Sequence, residues 1–198
     1  MDKQVIISIG REFGSAGHEI AEIVARNMNI ALYDRNMLDE LAREYNMDPT
    51  ELEKFDENPK NALLTRSVRG YSNSISEAVA QLQFDFIKDK AEAGESFVVV
   101  GRCSDKVLEN YDCLSTFFIT GNFDLKVERI MKKYNLSKQD AISKMYRHDK
   151  KRKAYHDSYT KKGWGEAKSY DICINSSNIG IEATALLIQN FALARVNK

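Results

Sequence analysis

The stretch ISIGREFGSAGHEIA, residues 7–21, places glycines at 10, 14 and 17 between an apolar run and a helical pattern. Glycines at such a junction suit anion binding. They let the backbone come close to an anion and aim several N–H donors at it, and the helix N-terminus adds partial positive charge. The candidate binding residues are Gly14, Ser15, Ala16, Gly17 and His18, flanked by Arg11 and Glu19. The spacing is neither G-x-x-x-x-G-K-[ST] nor G-x-G-x-x-G. His18 stands where the first pattern has lysine, Glu19 follows, and Ile20 replaces the metal-binding hydroxyl. Arg11 or a protonated His18 could supply the missing charge. The same glycines would also serve a tight strand-to-helix turn built only for packing.

Arginine is the second residue type that points to phosphate, because its planar fork holds two oxygens and stays charged. Arg102 follows the apolar run FVVVG directly, a position that packing does not explain. Asp34 and Arg35 follow another short apolar run, and Asp105 lies just beyond Arg102. Asp34 reads equally as a helix cap. Arg147 and Arg152 lie in the basic segment KMYRHDKKRKAYHDSYTKK, residues 144–162, with Asp149 and Arg152 at D-x-x-R spacing. Arg129, on a charged helical segment, reads equally as solvated surface.

These residues need elements to position them. Short β-branched or aromatic runs at residues 5–9, 30–33, 97–100, 115–120 and 170–174 predict strands. Helical periodicity predicts helices after residue 17, over 36–45, up to about Gly94, over 124–134, from Ser137 to about His156, and over 179–196. Asp48-Pro49-Thr50-Glu51, Ser74 to Glu77 and Ser137 read as helix starts. Strands alternating with helices predict an α/β fold: a three-layer sandwich around a parallel sheet of about five strands. Ligands of such sheets bind at the carboxyl ends of strands. Gly10 to Gly17, Asp34-Arg35 and Gly101 to Asp105 all fall there.

The chain has 198 residues, 43% apolar and 29% charged, with a formal net charge of zero. That balance fits one soluble domain and argues against a nucleic-acid polymer as partner. No apolar run approaches a membrane span, and the N-terminus is too short and acidic for a secretory signal. Cys103, Cys113 and Cys173 form no CxxC pair, which argues against zinc or redox chemistry and fits the cytoplasm. Cys173 reads as a small buried hydrophobe. The oligomeric state is not legible.

Several segments together resemble the cytidylate kinase-like family of P-loop nucleoside monophosphate kinases. They are FGSAGHEIA (13–21) at the P-loop, YDRNMLDELA (33–42), VVVGRCSDKVL (98–108), FFITGNFDLKVERI (117–130), RHDKKRKAYH (147–156) and YDICINSSNIGIEATALLI (170–188). The resemblance implies a P-loop kinase-like domain over 1–198, with a helical substrate-side insertion over about 36–94 and a lid over about 137–166. It implies ATP and Mg²⁺ as cofactors and a phosphorylated small molecule, with CMP or dCMP the default acceptor. On it, amides of Gly14 to His18 would hold the donor phosphates. Arg102, with Arg35, would hold the acceptor phosphate. Arg147 and Arg152 would close over the transferring group, and Asp149 would contact the acceptor or orient an arginine. Asp34 or Asp105 would hold Mg²⁺ through water. Met145 stands where such a lid carries an arginine, and Arg147 is the nearest replacement. Ser67 to Ser74 would be an acceptor-binding loop and Trp164 a latch behind the lid. Two other functions fit: a kinase-like binder that transfers nothing, and a kinase of another small molecule.

Overall fold

A computed structural model describes residues 3–44, 48, 50, 56–58, 67–68, 71–72 and 75–198. Its sheet is built from the apolar runs. Strands β1 (Ile6–Arg11), β2 (Ala31–Tyr33), β5 (Phe97–Val100), β6 (Leu114–Thr120) and β7 (Ile172–Asn175) form a five-stranded sheet in the order β2-β5-β1-β6-β7. Every pairing in it is parallel. A parallel sheet requires both faces covered, and the period-two alternation of side chains divides the work. Ile7, Ile9, Val98, Val100, Phe117 and Ile119 face one apolar cluster, shared with helices α1 (Gly17–Met28) and, at the chain's end, α8 (Ile181–Val196). Ile6, Phe97 and Val99 face the other, shared with α2 (Met37–Glu44) and α3 (Ile75–Glu92). Among the described residues the further α-helices are α4 (Ser104–Val107), α5 (Phe123–Tyr134), α6 (Lys138–Tyr159) and α7 (Ser176–Ile179).

The register sets Ile9 beside Val100 and Arg11 beside Ile119. Arg11, Asp34 and Gly101 therefore emerge at one edge of the sheet, the carboxyl edge. The helix α6 is continuous over 22 residues, and its N-cap Ser137 accepts from the Asp140 amide at 3.2 Å.

Four details depart from the sequence expectations. The last strand begins at Ile172 instead of Tyr170, because Asp171 is used locally: its Oδ2 accepts the Thr116 amide at 2.7 Å. The final helix is broken by Gly180 at φ 84°, which separates α7 from α8. Cys173 is exposed, not buried, because β7 is an edge strand with an uncovered face. A short antiparallel pair, β3 (Ser67–Val68) with β4 (Tyr71–Ser72), was not anticipated. Of the expected helix start at 48–51, Asp48 Oδ1 accepts the Thr50 amide at 2.8 Å, while Pro49 and Glu51 lie outside the described residues. Ser74, and much of the expected acceptor loop, also lie outside them. Among the described residues no helix is long and apolar enough to cross a membrane.

Candidate active site

The turn from β1 into α1 is tight. Gly14 has φ 86° and the N-cap Ala16 has φ 62°, both left-handed. The Ser15 hydroxyl donates to the Glu12 carbonyl at 2.9 Å, and the Ser15 carbonyl accepts from Ser176 Oγ at 2.7 Å. Ser15 thus shapes the loop from inside. The amides of Gly14, Ala16, Gly17 and His18 have no protein acceptor among the described residues. They are the donors that a helix N-terminus always leaves over. The glycines also relieve crowding: a Cβ on Gly17 would lie 2.5 Å from Arg11 Cβ.

Positive charge reaches this loop from α5. The Arg129 guanidinium donates to the Gly14 carbonyl, and Lys126 Nζ pairs with Glu12 Oε2 at 2.7 Å. Both bring positive charge to a loop that carries no lysine of its own. Sequence reasoning passed over Lys126. Its signal was the i, i+3 basic pair in LKVER, on the helix after a strand that adjoins β1.

His18 is half-exposed, donates to Asp34 Oδ2, and places Nδ1 3.6 Å from Glu22. Asp34 Oδ1 accepts the Asn36 amide at 2.8 Å at the approach to α2. Burial would raise the Asp34 pKa, but the bonds from His18 and Asn36 outweigh it and hold the carboxyl below its ordinary value. Asp34 is therefore an anion. Glu19 is exposed.

The densest charge lies beside the loop. Gly101, Arg102 and Cys103 have φ of 78°, 59° and 50°, a run of left-handed residues that turns Arg102 inward. Left-handed backbone at non-glycine residues is costly and needs surrounding contacts to hold it. Here the contacts are ionic. Arg102, 3% exposed, places its two terminal nitrogens 2.8 Å from Glu57 Oε1 and 3.0 Å from Asp56 Oδ2. Arg11 approaches Glu57 Oε1 at 3.5 Å, and Arg152 Nε approaches Glu57 Oε2 at 3.7 Å. Arg152 also donates to the Arg11 carbonyl at 3.4 Å. Burial and the neighbouring Arg152 cation push the Arg11 pKa down to about 10. Burial would raise Glu57, but Arg11, Arg102 and Arg152 outweigh it and hold it at about 2. A small cavity of about 20 Å³ adjoins the cluster, lined by Arg11, Arg102, Arg152, Tyr155 and Trp164 among others.

Helix α6 brings one face to this centre. Asp149, Arg152 and His156 share it at helical spacing. Asp149 Oδ1 accepts the Phe13 amide at 2.7 Å, so this carboxylate grips the glycine loop itself. His148 stacks on the Phe13 ring with centroids 4.2 Å apart. His156 Nε2 donates to Asp105 Oδ2 at 3.2 Å, both side chains buried. Arg147 points elsewhere on the helix and is exposed, and Arg35 is exposed between β2 and α2. Trp164 meets Phe118 edge-on at 5.0 Å. The structure thus gathers Arg11, Arg102 and Arg152, and it does not bring Arg147 or Arg35 into the cluster around Glu57. Asp56 and Glu57 escaped sequence reasoning because they sit in the charged run ELEKFDENPK, 45 and 46 residues from their arginine. Among the described residues no group of three His, Cys, Asp or Glu side chains could hold a metal by itself.

The sequence profile of the cytidylate kinase-like family matches residues 6–178. An uncharacterized protein from Eubacterium ventriosum is 33% identical, with a TM-score of 0.76 over 96% of this chain and 98% of that one. Shikimate kinase from Bacteroides thetaiotaomicron is 12% identical, with a TM-score of 0.55 over 94% and 97% of the two chains. A gluconokinase from Sinorhizobium meliloti is 13% identical, with a TM-score of 0.52 over 100% and 94%. The two kinases share the fold, that of P-loop kinases. No curated protein matches the chain.

Proposed function

The chain belongs to the cytidylate kinase-like family, and from that premise we propose an ATP- and Mg²⁺-dependent phosphotransferase acting on a nucleoside monophosphate, CMP or dCMP foremost. One observation supports this reading above others: three guanidinium groups, of Arg11, Arg102 and Arg152, meet beside a loop whose amides are unused. Phosphoryl transfer asks a protein mainly to position two phosphates and neutralise their charge. The loop amides, with Arg129 and Lys126 behind them, would hold the donor. Arg102 and Arg11 would hold the acceptor's phosphate. Arg152, on α6 and bonded to the Arg11 carbonyl, would bridge the two.

Mg²⁺ is compatible with the residues present. It usually takes one or two carboxylates and otherwise water and phosphate oxygens. Asp34, anionic and bonded to His18 on the first turn of α1, is the carboxylate for it, and the half-exposed His18 ring would have to give up its bond to Asp34. Bound there, the ion supplies charge neutralisation between phosphates. Asp105 is less suited, since it is buried against His156. The three unpaired cysteines fit a cytoplasmic protein.

Conversion of CMP to CDP with ATP tests the proposal. The wild-type chain should form CDP, and Arg102→Ala should lower kcat/KM at least about 100-fold, the loss typical of a buried charged contact to phosphate. Absence of CDP and of any diphosphate across a panel of nucleoside monophosphates would sink it. A second reading, nucleotide binding without transfer, is favoured by His18 in the lysine position. It predicts binding without turnover, and turnover gained on His18→Lys.

A further inference from the structure

Glu57 fills the centre of the arginine cluster, and it fills it imperfectly. Its Oε1 lies 2.8 Å from Arg102 but 3.5 Å from Arg11, and its Oε2 lies 3.7 Å from Arg152. Among the described residues the buried Nε atoms of Arg102 and Arg152 have no hydrogen-bond partner. Leaving buried guanidinium donors unmatched is costly. The cluster thus holds buried donors that Asp56 and Glu57, as placed, do not match. A phosphate monoester offers three terminal oxygens and a second negative charge, which a carboxylate lacks. Yet the adjoining cavity of about 20 Å³ has room for about one water and not for a phosphoryl group.

We propose that Asp56 and Glu57 are a built-in competing anion, which occupies the acceptor-phosphate position in the free protein and must be displaced for the acceptor to bind. The inference rests on the reading of the arginine cluster as the acceptor-phosphate site. It has a consequence for specificity. A monocarboxylate brings one charge and two oxygens against the two charges of the Asp56–Glu57 pair, and cannot replace both. A phosphate monoester matches the charge of the pair on one compact group, whose three oxygens can turn to donors that Glu57 leaves unmatched. Asp56 and Glu57 therefore select phosphomonoesters over carboxylates and uncharged acceptors. Glu57 is held at about 2, so it stays charged at neutral pH and only an anion removes it.

Calorimetric titration of the full chain at pH 7 tests this, with CMP, inorganic phosphate and acetate as probes. Glu57→Gln should bind CMP and phosphate at least tenfold more tightly than the wild type, and should acquire acetate binding that the wild type lacks. The same variant should melt below the wild type without anions, and phosphate should raise its Tm more than it raises the wild type's. Unchanged phosphate affinity in Glu57→Gln, with binding still lost on Arg102→Ala, would overturn the inference and leave the site reading intact. Absence of phosphate and CMP binding in both proteins would overturn the site reading and the inference together. If Glu57→Gln does not fold, Asp56→Asn removes a single Arg102 partner and must still tighten phosphate binding several-fold; no change there would overturn the inference too.

Discussion

Gly101 shows how much one residue can decide. At φ 78° it begins the left-handed run that turns Arg102 inward, and a Cβ there would lie 2.4 Å from an Arg11 guanidinium nitrogen. Glycine here leaves the Arg11 guanidinium its place beside Arg102. Gly101→Ala should therefore strain the backbone by roughly 1–2 kcal/mol and displace Arg11. Phosphate affinity should fall about tenfold with a lower Tm, read by titration and thermal melting; unchanged affinity would remove Arg11 from the site. At this scale the sequence exposed Arg11 and Arg102, because both sit where apolar strands end. It hid Glu57 and Lys126. Their partners are 45 and 114 residues away in the chain, and no local pattern encodes such a pairing.

Helix α6 is the element that carries Asp149 and Arg152, and their D-x-x-R spacing marked it in the sequence. Its docking face followed only from packing. Asp149 on the Phe13 amide and His148 on the Phe13 ring tie the helix to the glycine loop. Burial, then the Arg152 and Lys144 cations, push His148 down to about 4 from an ordinary 6.5. The unfolded chain therefore binds the His148 proton first. Stability from this contact is complete above pH 6.5 and is lost as pH falls from 6.5 towards 4. Urea midpoints of the wild type should drop across that window, and His148→Phe should flatten the drop. An identical drop in the variant would free His148 of the role. Glu57 adds a separate loss lower down, between 4.5 and about 2, because its folded value is depressed.

The whole molecule is a sheet pressed between two apolar layers, with the site along one edge. Ile6 and Ile7 are adjacent in β1, face opposite layers, and are both fully buried. Ile6→Ala and Ile7→Ala should each cost about 2–5 kcal/mol, measured by denaturant unfolding. A strand with one solvated face would show the loss at only one of the two. Alternating strand and helix patterns, and glycines after the first strand, were enough to determine the parallel α/β architecture and the edge at which Arg11 and Arg102 emerge. Side-chain periodicity and backbone sterics are local properties, so a linear chain carries them openly. Which arginines converge, which face of α6 docks, and that a carboxylate pair holds the centre were decided by the tertiary structure alone. Those outcomes depend on distances between residues far apart in the chain, which exist only once the sheet has brought its strand ends together.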